Sequence, residues 1–167
     1  MAGQRVRVLL RAVVDGLPFM NEVEEYTSAR PKKKTEEVKG GGFIGGEIFS
    51  GIEKMTGTLV LKGATTAVLA KYGLSVGNKL PVSIRETLMD EDGKRLVVTE
   101  TWIAEMTGVE ESGKGQGQLD QHTLTFAVDS SKRIENGKVL WNVSRRAHIC
   151  DLGNGDLLEA DRKAIGI

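Results

Sequence analysis

Arg30-Pro-Lys-Lys-Lys-Thr-Glu-Glu-Val-Lys-Gly-Gly-Gly-Phe-Ile-Gly-Gly-Glu-Ile-Phe-Ser-Gly-Ile-Glu-Lys-Met55 is the stretch on which the reading of this chain turns. It begins basic, passes through glycine and ends apolar, and it carries the period of neither a strand nor an amphipathic helix. Structureless segments longer than roughly 12–15 residues are uncommon inside compact domains, where they are either disordered or functional. The sequence on either side decides what this segment is attached to.

That flanking sequence reads as short antiparallel strands. Val6, Val8, Leu10, Ala12 and Val14 share one parity while Arg5, Arg7 and Arg11 hold the other, the alternation of a half-buried strand. Asp15-Gly16 is a hairpin turn, because both central positions of a type I′ turn need positive φ. Pro18 confines the returning strand to an edge, and a weakly apolar strand over residues 21–29 leads to the long segment. Beyond it, residues 57–62 form a strand. A helix over about 64–72 follows, with Ala64, Val68 and Tyr72 at i+4, a threonine to cap its start and Gly73 to end it. Leu80, Val82, Ile84 and Leu88, a turn at Asp90-Glu-Asp-Gly93, then Leu96, Val98, Trp102, Ala104 and Met106 make a long hairpin. Residues 108–119 read as a flexible polar loop. His122, Leu124, Phe126 and Val128 make the next strand, Asn136-Gly137 the strongest turn signal, and Val139, Trp141, Val143, Ala147 and Ile149 the last, with Arg145 marking a bulge or strand end. Gly153-Asn-Gly155 turns once more before the tail.

The expectation is a mainly β fold, an antiparallel sandwich or barrel of about seven strands with one short flanking helix and long loops, forming a single domain over residues 1–167. Lys plus Arg number 23 and Asp plus Glu 23, so no overall field recruits nucleic acid or an anionic surface. One cysteine, Cys150, excludes an internal disulfide framework, and no apolar run spans a membrane, which points to a reducing cytoplasm. The 21 glycines against 8 aromatics indicate many turns around a thin core.

The tempting motifs fail on context. Gly40-x-Gly42-x-x-Gly45 has dinucleotide-binding spacing, but charged residues precede it and Gly46 and Gly51 weaken any helix after it. In Gly108-Val-Glu-Glu-Ser-Gly-Lys114-Gly115 a glycine stands where a phosphate loop needs the magnesium-binding hydroxyl. His122 and His148 lack partners at metal-ligand spacing, and no nucleophile is singled out, so neither metal, cofactor nor catalytic residue is nominated. Arg30, Lys32, Lys33 and Lys34 form a basic cluster, but Glu36 and Glu37 follow and no aromatic stands nearby for base stacking.

In order, the opening hairpin, the Lys33-Lys34-Thr35-Glu36-Glu37-x-x-Gly40-Gly41-Gly42-Phe43 core, the strand–helix unit through Tyr72-Gly73 and the ending Arg162-x-Ala-Ile-Gly-Ile167 resemble the major tail tube proteins of contractile-tailed bacteriophages. R-type bacteriocin tubes are similar. The resemblance covers most of the chain and is weakest between residues 109 and 138. It implies a non-enzymatic subunit of hexameric rings that stack as the inner tail tube of a virion. Its partners would be other copies of itself, the sheath, baseplate or tube-initiator and terminator proteins, and, passing through the lumen, tape-measure protein and DNA. The particle would be assembled in the host cytoplasm, without a membrane.

On that reading residues 30–56 are an inter-ring arm, with Phe43, Ile44, Ile48, Phe49 and Ile52 as apolar anchors, Lys33, Lys34, Thr35, Glu36 and Glu37 at its base, and Gly40, Gly41 and Gly42 giving it freedom before assembly. A bore for DNA should avoid tight cationic contacts, so Glu86, Glu100 and Glu105, which interrupt or flank the long hairpin, are the candidate lumenal carboxylates. The competing classes are a single-stranded nucleic-acid-binding β-barrel, resting on the fold class and the basic cluster, and an enzyme on a β-barrel scaffold.

Overall fold

The computed structural model describes residues 3–64, 66–73, 77–113 and 115–167. In chain order these form β1 (Arg5–Val14), β2 (Leu17–Phe19), β3 (Val23–Thr27), β4 (Lys33–Val38), β5 (Gly46–Ile52), β6 (Met55–Lys62), α1 (Thr66–Leu69) running into a 3-10 turn (Ala70–Gly73), β7 (Leu80–Asp90), β8 (Arg95–Glu111), β9 (Gln121–Glu135), β10 (Lys138–Ser144), β11 (Ile149–Asp151) and α2 (Glu159–Ile165). Every ladder is antiparallel. The fold is therefore mainly antiparallel β, as the alternation of apolar residues requires.

One sheet runs β11-β10-β9-β8-β7-β1-β2, and it branches at β9. Residues 130–135 of β9 pair with β10 and residues 121–128 pair with β6, which pairs in turn with β3. Along its other side β9 follows β8 almost throughout, with bulges at Ile103/Ala104 and Met106/Gly108. Bulges add twist and bend a strand. The Tyr26 hydroxyl on β3 meets Glu86 on β7 at 2.7 Å although no ladder joins those strands, so the β6–β3 branch folds over the face of the main path. Leu59, Leu61, Val82, Ile84, Trp102, Phe126 and Val143 fill the space between, with the Trp102 and Phe126 rings 6.0 Å apart.

The turn chemistry behaves as the sequence dictates. Asp15 and Gly16 take φ of 47° and 80°, Asn136 and Gly137 take 49° and 83°, and each pair closes a two-residue hairpin of the type I′ kind. Gly93 (φ 77°) closes the β7–β8 turn, where the Asp90 carboxylate accepts from Lys94 N at 2.8 Å. Arg145 follows the last residue of β10, so it marks a strand end.

Four expectations change. The arm contains β4 and β5, and the strands number eleven among the described residues. The helix is one short turn in which only Val68 is buried; Tyr72 is 53% exposed and Gly73 does not adopt positive φ, because the segment offers no continuous apolar face to pack. Thr65, one of the two threonines available to cap it, lies outside the described residues, as does Lys114. Residues 108–111 are strand, paired with residues 122–125, so the polar loop starts only at Ser112.

The fourth is α2 in the tail. Its acids Glu159 and Asp161 fall in the first turn, its bases Arg162 and Lys163 in the last, and Gly166 caps it in the left-handed conformation. Asp156 docks it: one carboxylate oxygen accepts from Cys150 N and Leu158 N at 3.0 Å each, and the other meets Arg162 Nη2 at 2.6 Å. Arg162 also donates to the His148 carbonyl at 2.6 Å.

Two outcomes follow from this packing. A Cβ on Gly57 would stand 2.6 Å from the buried Trp102 ring, so Gly57→Ala should cost about 1–3 kcal/mol by overpacking, read from the urea midpoint. The hydrogen bond from Arg162, aided by the Cys150 amide, holds the Asp156 carboxyl at about 2 against an ordinary 3.8. Because the folded value is the lower one, this contribution is complete above about pH 4 and is lost as pH falls through about 2. Exchange of the Cys150 and Leu158 amides should accelerate over that window in the wild type and be fast throughout in Asp156→Asn.

Candidate subunit-interaction surface

The arm is a two-stranded hairpin outside the main sheet. Lys33 pairs with Ile52, Thr35 with Phe49, Glu36 with Ile48, Glu37 with Glu47 and Val38 with Gly46, with one register shift at Lys34/Thr35. Residues 39–45 form its tip, where Gly40 and Gly41 take φ of 43° and 75° and Gly42 N donates to the Lys39 carbonyl at 2.9 Å. A side chain at those two positions would be strained, which gives the glycine run a geometric rather than a phosphate-binding role. The strand after the tip is β5, whereas a dinucleotide fingerprint needs a helix there.

The anchors named from the sequence occupy distinct places. Phe43 is 100% and Ile44 84% exposed at the tip; Ile48 and Phe49 are exposed on β5. Ile52 is different: it is half-buried at the root and packs against the core. Lys33, Lys34, Thr35, Glu36 and Glu37 are all exposed on β4. The ion pair at the base joins Lys32 to Glu53 at 3.5 Å, while Glu36 and Glu37 stand further out, opposite Ile48 and Glu47. Arg30 lies over the Trp141 ring at 5.2 Å, so two members of the basic cluster already have partners within the chain. An isolated two-stranded hairpin is at best marginally stable in water, and this one holds large apolar groups away from any core.

The root is held by a buried polar network that sequence reasoning did not assemble. Glu100 is 0% exposed and accepts from Ser28 Oγ (2.8 Å to each oxygen), Ala29 N (3.0 Å), Trp102 Nε1 (2.7 Å) and Arg133 Nη1 (2.9 Å). Ser131 Oγ donates to the Ala29 carbonyl and accepts from Trp141 Nε1, each at 2.9 Å. Tyr26, Arg7 and Arg133 surround Glu86, and Arg133 also donates to Glu135 at 3.0 Å. Burial, then the hydrogen bond and charge of Glu86, push the Tyr26 phenol well above its ordinary value, so it remains a donor. Burial alone would lower Arg133, but Tyr26, Glu135 and Glu100 outweigh it and hold the guanidinium charged.

Glu86 and Glu100 therefore do not supply lumenal carboxylates. They are 3% and 0% exposed, turned inward because the guanidinium of Arg133 gives them an interior counter-charge. The signal was in the sequence: Glu86 shares parity with Val82 and Ile84, and Glu100 with Val98 and Trp102. Glu105 has the opposite parity, is half-buried, and pairs with Lys79 at 3.1 Å. His122 is buried and its Nε2 lies 3.0 Å from Glu111 Oε1.

Removing the charge at the root should be felt in both the core and the arm. Glu100→Gln leaves Arg133 without its nearest buried anion and should cost about 3–5 kcal/mol in urea unfolding. The Ala29 amide should exchange faster, and trypsin should cut sooner after Lys32, Lys33 and Lys34; an unchanged unfolding midpoint would show that the network does not hold the root.

The family described as Phage tail tube protein FII matches residues 8–166. Comparison with curated protein sequences gives no match. Among solved structures, the chain is similar to one from the extracellular contractile injection system PVC sheath–tube complex in the extended state (TM-score 0.57, 14% identity, 75% of this chain and 88% of that one). It is also similar to a chain of the anti-feeding prophage tube-terminating cap (TM-score 0.56, 13% identity, 75% and 87%). A third, from the anti-feeding prophage baseplate, gives a TM-score of 0.51 at 12% identity over 80% and 94%. At such identities these likenesses concern the fold alone, whereas the sequence match spans nearly the whole chain: this protein belongs to the phage tail tube protein FII family.

Proposed function

We propose that the chain is a structural, non-catalytic subunit that closes into hexameric rings, and that the rings stack into the inner tube of a contractile tail, with the β4–β5 arm as the contact between rings. The observation that carries this is the arm itself: a hairpin fixed at its root by Glu100 and Ser131 that presents Phe43 and Ile44 to solvent. Burying one large apolar side chain contributes roughly 1.5–3 kcal/mol, so Phe43, Ile44, Ile48 and Phe49 together give a contact strong enough to join rings after the cost of ordering is met.

Ring closure answers a second feature of the subunit. Among the described residues, β1 is paired over residues 5–11 only with β7, while Val6 and Leu9 are exposed on it. An open edge with apolar side chains invites pairing, and a closed rotation satisfies it without leaving a free end. The sheath, the tube initiator at the baseplate and a terminator are the partners that the family role implies, with tape-measure protein and DNA as transient contents of the lumen. Assembly in the host cytoplasm belongs to the same reading.

Phe43→Ser combined with Ile44→Ser should leave rings intact and abolish stacking, seen as single rings in negative-stain images at concentrations where the wild type forms tubes. Deleting residues 39–50 should do the same. Tubes of unchanged length from either variant would refute the role given to the arm.

A further inference from the structure

At the root of the arm the core leaves a cleft of about 450 Å³ open to solvent. Residues of β5, the start of β6, β9, the end of β10, β11 and the approach to α2 line it. Met55, Val128, Val143 and Cys150, all members of the core, give it an apolar floor, and half-buried Ile52 adds to it. Phe49 and Leu157, which also line it, are 45% and 54% exposed. Concave apolar sites of this size, with a few polar groups at the rim, are suited to taking up an apolar group from a partner.

The rim of this cleft is basic. Lys54, Arg145 and His148 line it, and the carboxylate among its lining residues, Glu53, is paired with Lys32 at 3.5 Å. Behind Arg145, three cations (Lys79, Arg145 and Arg146) share two carboxylates, Asp129 and Glu105, so positive charge is left over. Arg145 N donates to the Asp129 carbonyl at 2.9 Å, which fixes the turn that carries it. The tip of the arm has the complementary character. Below Phe43 and Ile44, Glu37 and Glu47 stand directly opposite each other, both exposed, and neither makes an ion pair among the described residues, nor does the neighbouring Lys39. Like charges placed opposite on paired strands are destabilising until a counter-charge meets them.

We infer that the cleft receives Phe43 and Ile44 of a second copy of this chain, while Lys54 and Arg145 at its rim meet Glu37 and Glu47 of that copy. The tip does not serve the cleft of its own subunit, because the paired strands hold it roughly 20 Å from the root at the rise of a strand, with Phe43 fully exposed. An aromatic anchor entering an apolar pocket, with charges paired around it, is the arrangement that concentrates binding energy at a protein contact. Phe49 and Ile52 then belong to the receiving wall, so one arm supplies both halves of the contact. A contact from tip to root is head-to-tail, and its repetition extends copies along a line instead of closing on a pair. The inference rests on the stacking role given to the arm and adds the place where the tip lands.

The test uses the whole chain in two forms, Cys150→Ala with Ile44→Cys and Cys150→Ala with Leu157→Cys, in which both new thiols stand at exposed positions. Mixed and oxidised with diamide, they should give a disulfide-linked pair of the two forms. A form with Val97→Cys, exposed on β8, in place of Leu157→Cys should give none. Lys54→Glu combined with Arg145→Glu should raise the concentration at which tubes appear about tenfold or more, and adding Glu37→Lys and Glu47→Lys should return it to within about threefold of the wild type. No mixed disulfide, or as much with Val97→Cys, would overturn the cleft, and a charge reversal without rescue would overturn the part given to its rim. If Phe43→Ser with Ile44→Ser abolishes stacking while disulfide and rescue both fail, the arm joins rings at another surface and the cleft alone is refuted. If that variant leaves tubes unchanged while the mixed disulfide forms, the stacking role is refuted and the contact between copies stands.

Discussion

A carboxylate with no exposure can persist as a charge only if donors replace the water it has lost, and Glu100 meets that condition with a serine, a backbone amide, an indole and a guanidinium. Those donors come from three parts of the chain. Ser28 and Ala29 lie just before the arm, Trp102 is on β8 with Glu100, and Arg133 is on β9, where it also meets Tyr26 of β3 and Glu135. The branch of the sheet, the two longest strands and the start of the arm are thus tied to one group. Without it the backbone at Ala29 would be buried with a donor and no acceptor, and the arm would have no fixed direction.

This arrangement separates two tasks that the sequence places side by side. The core of the subunit is apolar and closed, with Trp102, Phe126, Leu59 and Leu61 at its centre. The hairpin that leaves it keeps Phe43, Ile44, Ile48 and Phe49 outside. A rigid root with a free tip costs little to order at a partner, because the main loss of freedom, the direction of exit, has been met within the fold. In the tube proposed above, that economy would be repeated with each copy along the axis.

The sheet was legible where one face is buried and the other wet: the parity of β7, β8 and β9 and the Asp-Gly and Asn-Gly turns stand in the structure where the residues placed them. The arm strands were not, because Lys33–Val38 is exposed on both faces and so carries no alternation for periodicity to detect. Helix α2 escaped for a related reason, having no buried residue, although its charge order and Gly166 marked both ends. The buried network is carried by plain residues: Glu86 and Glu100 stand at buried parity, and the counter-charge of Arg133, 33 positions beyond Glu100, makes them part of the interior. Pattern along a strand reports burial, but a pairing between distant strands cannot be read from either one alone.

The split partnership of β9 has a mechanical meaning. Ala29 is gripped by Glu100 on β8 and Ser131 on β9, and those two strands share 13 paired positions, the longest ladder of the chain. A pull on the arm therefore enters the sheet at its middle, where load spreads into β7 on one side and into β6 and β10 on the other, and no edge strand has to bear it alone.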